Sequence, residues 1–327
     1  MPRVHHPLTR IRHIRSLLRA GALVAGLALV YAANVVVAGQ SRLVDAPSLV
    51  NDLRQLSSDE MAGRRVGTPG GARARAYLMD RFLAVGLLPF SGAFEKPFGG
   101  AVAGVNLIGQ IPGHSRPDQF IVISAHYDHI GVRNGQTFNG ANDNASGAAA
   151  LPALAAYFLA HRPATSLIFA AFDGEEAGLL GSRAFVRAPP VDRNAILINL
   201  NLDMIGRDPS NTLWVVGTAR QPALRPLIER AATGAPVSLR MGYENAAGGQ
   251  DWTRDSDQWA FLEAGLPALY FGVEDFALLH HPDDDFERMT IDFYIRAVET
   301  MVQVIEMADA DAEALARLPR GTGATPR

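Results

Sequence analysis

Five short segments of this 327-residue chain carry imidazole and carboxylate groups able to do chemistry together. They are His126-Tyr127-Asp128, Asp143 within Gly140 to Gly147, Asp173-Gly174-Glu175-Glu176, Asp203, and His280-His281-Pro282-Asp283-Asp284-Asp285. Each alone has an ordinary explanation. A His-x-Asp pair is usually a surface or satisfied core histidine, and Asn, Asp, Ser and Gly around Asp143 are turn and cap formers. Carboxylates at 173–176 suit the positive end of a helix. Asp203 could cap a turn, and the 280–285 run could be an exposed loop. Five unrelated explanations are a poor account of groups that fall mostly after strand-like runs. Carboxylates that converge at neutral pH need a cation, and a chain without cysteine must hold it on His, Asp and Glu.

The elements that must position these groups alternate. Asn106-Leu107-Ile108-Gly109, Phe120 to Ile123, Leu167 to Ala171 and Ile196 to Leu200 are short β-rich runs. Helical stretches at Ala145 to Ala160 and Ala177 to Val186 lie between them, with further helices at Pro222 to Thr233 and Asp292 to Ala308. Upstream, Asp45-Ala46-Pro47 opens a helix to about Leu56. Thr68-Pro69 starts a second, with Ala72, Ala76, Met79 and Leu83 at helical spacing and Gly86 as terminator. The alternation predicts an α/β domain, a three-layer α/β/α sandwich whose mixed, largely parallel central sheet is covered by helices on both faces. In such sheets ligands bind outside the carboxyl ends of the strands, where His126, Glu175, Glu176 and Asp203 fall.

Composition bounds the rest. An apolar content of 48% supports one sizeable core, and a net charge of -3 gives no basic excess for nucleic acid. Arg3, Arg10, Arg12, Arg15 and Arg19 precede an apolar run from Ala20 to Ala38, the pattern of an export signal. Asn34 within the run and Val36-Val37-Ala38 at its end leave both cleavage and retention as an anchor open, and in either case the remainder is sent outward. The expected organisation is a leader or anchor at 1–40, a catalytic domain at 41–310 and a mobile tail at 311–327. The expected location is extracytoplasmic, with membrane contact through the N-terminal segment if it is retained.

Taken in order, the segments resemble the secreted dizinc aminopeptidases, a metallopeptidase family that shares its fold with glutaminyl cyclases and the transferrin receptor ectodomain. The resemblance runs from Leu56-Ser57-Ser58-Asp59-Glu60-Met61-Ala62-Gly63-Arg64 through Asn106 to Gly109, Ser124 to His129, Asn201-Leu202-Asp203-Met204-Ile205-Gly206 and Ser256 to Phe261, to Gly265-Leu266-Pro267-Ala268. It implies two zinc ions: His126, Asp143 and Asp203 hold one, and Asp143, Glu176 and His280 hold the other. His281 is the alternative to His280, which is favoured by the His-x-Pro-x-Asp register. The resemblance further implies Glu175 as general base, Asp128 as the carboxylate behind His126, a cis peptide between Asp143 and Asn144, and substrates that are peptides with a free N-terminus. Two positions depart from the pattern. Leu279 stands where many relatives have an aromatic residue, leaving the oxyanion donor open with Tyr243 as a candidate, and Gln258 stands where a histidine is common. A one-zinc cyclase or a non-catalytic receptor-like domain are the competing functions, and the complete ligand set argues against both.

Overall fold

A computed structural model describes residues 43–100, 102–244 and 249–321, so the arginine-flanked run and the residues beyond 321 lie outside the description. The strands are β1 (Leu88–Pro89), β2 (Glu95–Phe98), β3 (Gly104–Ile111), β4 (Arg116–His126), β5 (Gly131–Arg133), β6 (Gln136–Phe138), β7 (Thr165–Phe172), β8 (Ile196–Leu202), β9 (Thr212–Val216), β10 (Ser238–Met241) and β11 (Ala268–Gly272). The α-helices are α1 (Ala46–Leu56), α2 (Pro69–Val85), α3 (Ser146–Ala160), α4 (Leu180–Arg187), α5 (Arg225–Ala232), α6 (Gln258–Glu263), α7 (Ile291–Ala310) and α8 (Ala312–Ala316).

The main sheet runs β1-β3-β7-β4-β8-β11-β9-β10, with β2 beside β3. Its centre, β7-β4-β8-β11, is parallel. Antiparallel pairing begins on either side, where β3 meets β7 and β9 meets β11. All eight residues of β7 are buried, as a strand covered on both faces requires. Successive side chains supply two different cores. Ile121, Ile123 and Ala125 of β4 pack with residues of α1, α2, α3 and α7, whereas Val122 packs with Phe185 of α4 and Phe261 of α6. The three-layer sandwich and its mixed, largely parallel sheet are therefore as the sequence predicts.

Local chemistry sets the helix ends. The Asp45 side chain accepts from the Ser48 N–H at the start of α1, and Thr68 does the same for Gly71 ahead of Pro69 in α2. Gly86 ends α2 in a left-handed conformation, φ 92°. The helix expected from Ala177 begins only at Leu180. Gly178 and Leu179 have φ of 105° and 59°, which an α-helix does not admit, so residues 175–179 form a turn closed by N–H groups of Gly178 and Leu179 on the Glu175 carbonyl. The expected mobile tail also needs correction for residues 311–321. Ala312 and Leu315 of α8 are buried, and Arg320 donates to the Ile196 carbonyl.

Candidate functional site

His126 is the last residue of β4, Asp173 directly follows β7 and Asp203 directly follows β8. Adjacent parallel strands thus deliver these groups to one edge of the sheet. Asp143 arrives from the loop before α3, and His280 from the segment after β11. His126 Nε2 lies 3.2 Å from Asp203 Oδ1 and 3.5 Å from Asp143 Oδ1. His280 Nε2 lies 3.3 Å from Asp143 Oδ2 and 3.1 Å from Glu176 Oε2. Asp143 therefore turns one oxygen to each histidine. All five expected ligand residues meet, while His281 faces Asp283 instead, its Nδ1 accepting from the Asp283 N–H at 3.2 Å.

The loop carrying Asp143 is pegged from several directions, which its turn-forming residue types alone do not reveal. Asp284 accepts the N–H groups of Asn142 and Asp143, and Arg207 bridges Asp284 and Asp275. The Asn144 amide donates to the Leu202 carbonyl and accepts from Gly147 and Met204. Asn142 Oδ1 takes the Gly206 N–H at 2.9 Å. The Asp143–Asn144 peptide bond is cis, as the resemblance implies.

Arg64 is fully buried beneath the site. Its guanidinium donates to the carbonyls of Leu56, Tyr127, Asn139 and Gly140, tying the segment before α2 to the segments that follow His126 and precede Asp143. Burial pulls its pKa down to about 10, against the pull of Asp143, Asp284 and Asp128. Asp128 differs in detail from its expected role. Its carboxylate stands behind His126 with Oδ1 3.8 Å from Nδ1, its backbone carbonyl lies closer at 3.1 Å, and Oδ1 also accepts the Glu175 N–H at 3.0 Å. The carboxylate thus fixes the backbone of Glu175.

The electrostatics separate the groups. Burial opposes protonation of His126, yet Asp203 and Glu175 push its pKa well above the imidazole range. Burial raises Glu175 well above the carboxylate range although His126 opposes this, with Asp257 and Asp203 adding to the rise. Glu176 goes the other way: burial opposes ionisation, but His129 and His280 hold it below the usual carboxylate range. Bonds from Asp143 and Glu176 push His280 up to about 10.

Three residues near this cluster have no sequence-assigned role. His129 is buried with its Nδ1 2.7 Å from Glu176 Oε1. Asp257 is fully buried, and burial lifts it to about 6 although His126 and a bond from Ser182 oppose this. Tyr270, on β11, lines the same cavity of about 430 Å³ as His126, Asp203 and His280. His129 and Asp257 lie inside the quoted motifs, so their presence was visible; their contacts depend on the fold. Tyr243 is not among the cavity's lining residues: its ring stacks on Trp252 at 3.7 Å and its hydroxyl bonds Glu274. Gln258 is spent on the Trp252 carbonyl and Asn201, away from the cluster.

The donor set fits divalent cations. His126, Glu175 and Asp203 bring donor atoms within 4.8 Å of one another, as do His129, Asp143 and Glu176, so a further group, Glu175 or His129, stands beside the expected ligands at each position. Imidazole nitrogens and carboxylate oxygens without thiolate suit a borderline metal. Donors on one tetrahedral ion with bonds near 2.0–2.1 Å stand roughly 3.3–3.4 Å apart. The 3.1–3.5 Å spacings around His126 and His280 are of that size.

A model of peptidase family M28 matches residues 106–305. A probable zinc metalloprotease of Pyrenophora teres f. teres (strain 0-1) is 29% identical over 185 residues, 50% of this chain and 37% of that one, so the chain spans less than half of that relative. A zinc aminopeptidase from Bacillus subtilis is 25% identical with a TM-score of 0.53, over 63% of this chain and 50% of the other. A glutaminyl cyclase from Porphyromonas gingivalis has a TM-score of 0.67 at 18% identity, over 81% of this chain and 99% of the other, a likeness of fold.

Proposed function

The chain belongs to peptidase family M28, and from that premise we propose that it is a two-zinc aminopeptidase acting on peptides with a free N-terminus. The observation that carries the reading is the division of Asp143, one oxygen toward His126 and the other toward His280. In this reading His126 and Asp203 complete one zinc site, Glu176 and His280 complete the other, and Asp143 joins them. Bound zinc supplies Lewis acidity that lowers the pKa of water and polarises a scissile carbonyl.

The chain's own groups do the rest. Glu175 sits beside His126 and Asp203, where burial makes its carboxylate a stronger base, so the ionised group can take a proton from the attacking water and pass it to the leaving amine. The N–H bond to Asp128 keeps its backbone in place. The cyclase reading is disfavoured by the complete second donor set, which a single ion does not use. Delivery outside the cytoplasm rests on the arginine-flanked run before Gln40; among the described residues no helix is long and apolar enough to cross a membrane.

The test is turnover of a panel of aminoacyl-anilides, each with a free or an acetylated amine, alongside zinc content. The proposal expects about two zincs per chain and cleavage only of the free-amine compounds. Cleavage of the acetylated compounds, or one zinc with release of pyroglutamate from N-terminal glutamine, overturns it.

A further inference from the structure

His129 touches the cluster yet has no place in the ligand set just described. The side chain is fully buried, with Nδ1 2.7 Å from Glu176 Oε1 and 3.7 Å from Asp143 Oδ2. The other oxygen of Glu176, Oε2, faces His280 at 3.1 Å. One carboxylate is therefore shared between two imidazoles, one on each oxygen.

The spacing distinguishes what the two imidazoles do. Ligands of one tetrahedral ion stand roughly 3.3–3.4 Å apart, whereas an N–H bonded to a carboxylate lies about 2.7–2.9 Å from it. His280 fits the first distance and His129 the second. The 2.7 Å contact between His129 Nδ1 and Glu176 Oε1 has the length of such a bond, and neither buried atom has another hydrogen-bond partner among the described residues. With the proton on Nδ1, the buried Nε2 is left as a bare acceptor, less costly than a buried N–H without a partner.

The ring itself is held in place. Gly140, at φ 53°, lies directly against it: a Cβ there would stand 2.5 Å from His129 Cδ2 and 2.6 Å from Cγ. The ring also meets that of His280 edge-on at 5.9 Å. We infer that His129 is a positioning residue that donates from Nδ1 to Oε1 of Glu176, presenting Oε2 alone to the second ion. The inference rests on the two-zinc reading.

The experiment titrates the metal-free full-length chain with zinc against a chromophoric chelator, for wild type, His129→Leu and His129→Asn. Leucine fills the buried space without a donor, and the asparagine amide places an N–H near the position of Nδ1. Loss of such a supporting bond typically costs about 10–100-fold in metal affinity. His129→Leu is expected to weaken one of the two binding steps by that factor and leave the other unchanged, and His129→Asn to recover most of the loss. Unchanged binding in both variants, equal weakening of both steps, or an asparagine variant as weak as the leucine one overturns the inference. A wild-type chain that binds fewer than two zincs overturns the underlying reading instead, and shows this before any variant is compared.

Discussion

Glu175 and Glu176 are neighbours with the same side chain, and the fold gives them opposite electrostatics. Burial drives Glu175 toward its protonated form, while His129 and His280 keep Glu176 ionised. A base must exchange a proton and a ligand must not. Glu175→Gln is therefore expected to retain both zincs and lose about 10²–10⁴-fold in turnover, mainly in kcat. Glu176→Ala is expected to lose one zinc. Zinc content and steady-state kinetics on both variants check the division; a Glu175→Gln protein of normal turnover would refute it. The five candidate ligand positions come from the family resemblance, with His126, Glu176 and Asp203 also falling just past strand-like runs and His280 in the His-x-Pro-x-Asp register. The bond of Asp128 to the Glu175 N–H and the contact of His129 with Glu176 were not legible in the sequence, since each depends on which backbone or carboxylate a distant segment brings alongside.

Among the elements, the segment before α2 contributes no ligand, yet its Arg64 holds the carbonyls flanking two that do. Hydrogen bonds from a charged donor contribute about 1.5–3 kcal/mol each, and removing the donor leaves buried carbonyls without partners. Arg64→Met is expected to lower stability by at least about 3 kcal/mol, read as a fall in the denaturation midpoint, and to weaken zinc binding at Asp143. A variant as stable as wild type would show that the guanidinium is replaceable. Asp284→Ala removes the acceptor for the Asn142 and Asp143 N–H groups and leaves Arg207 with Asp275 alone, with an expected cost of at least about 2 kcal/mol in the same measurement. Helix ends were readable from the side-chain caps Asp45 and Thr68 and from Gly86, which takes the left-handed backbone. The start of α4 was not, because Leu179 takes a left-handed conformation that its side chain gives no reason to expect.

For the whole molecule, the site gathers carboxylates that repel one another unless cations lie between them. Chelation is thus expected to lower the melting temperature, and added zinc to restore it. An ion present at a thousand times its Kd stabilises by about 4.1 kcal/mol. A melting curve indifferent to chelator would count against a resident metal. Because all five candidate ligands lie after residue 43, a chain starting at Gln40 is expected to be as active as the full one; loss of activity with the fold intact would show that the N-terminal run does more than deliver. The alternation of strands and helices made this architecture readable, whereas the antiparallel flanks formed by β3 and β9 follow from pairings between segments far apart in sequence. The same dispersion governs when activity can arise. The ligands are strung from His126 to His280, and α7, which covers the sheet, comes after the last of them. During synthesis the emerging chain holds fragments of the proposed site but not the whole of it. In the proposed two-zinc reading, the site is thus latent by topology until its last ligand has been made.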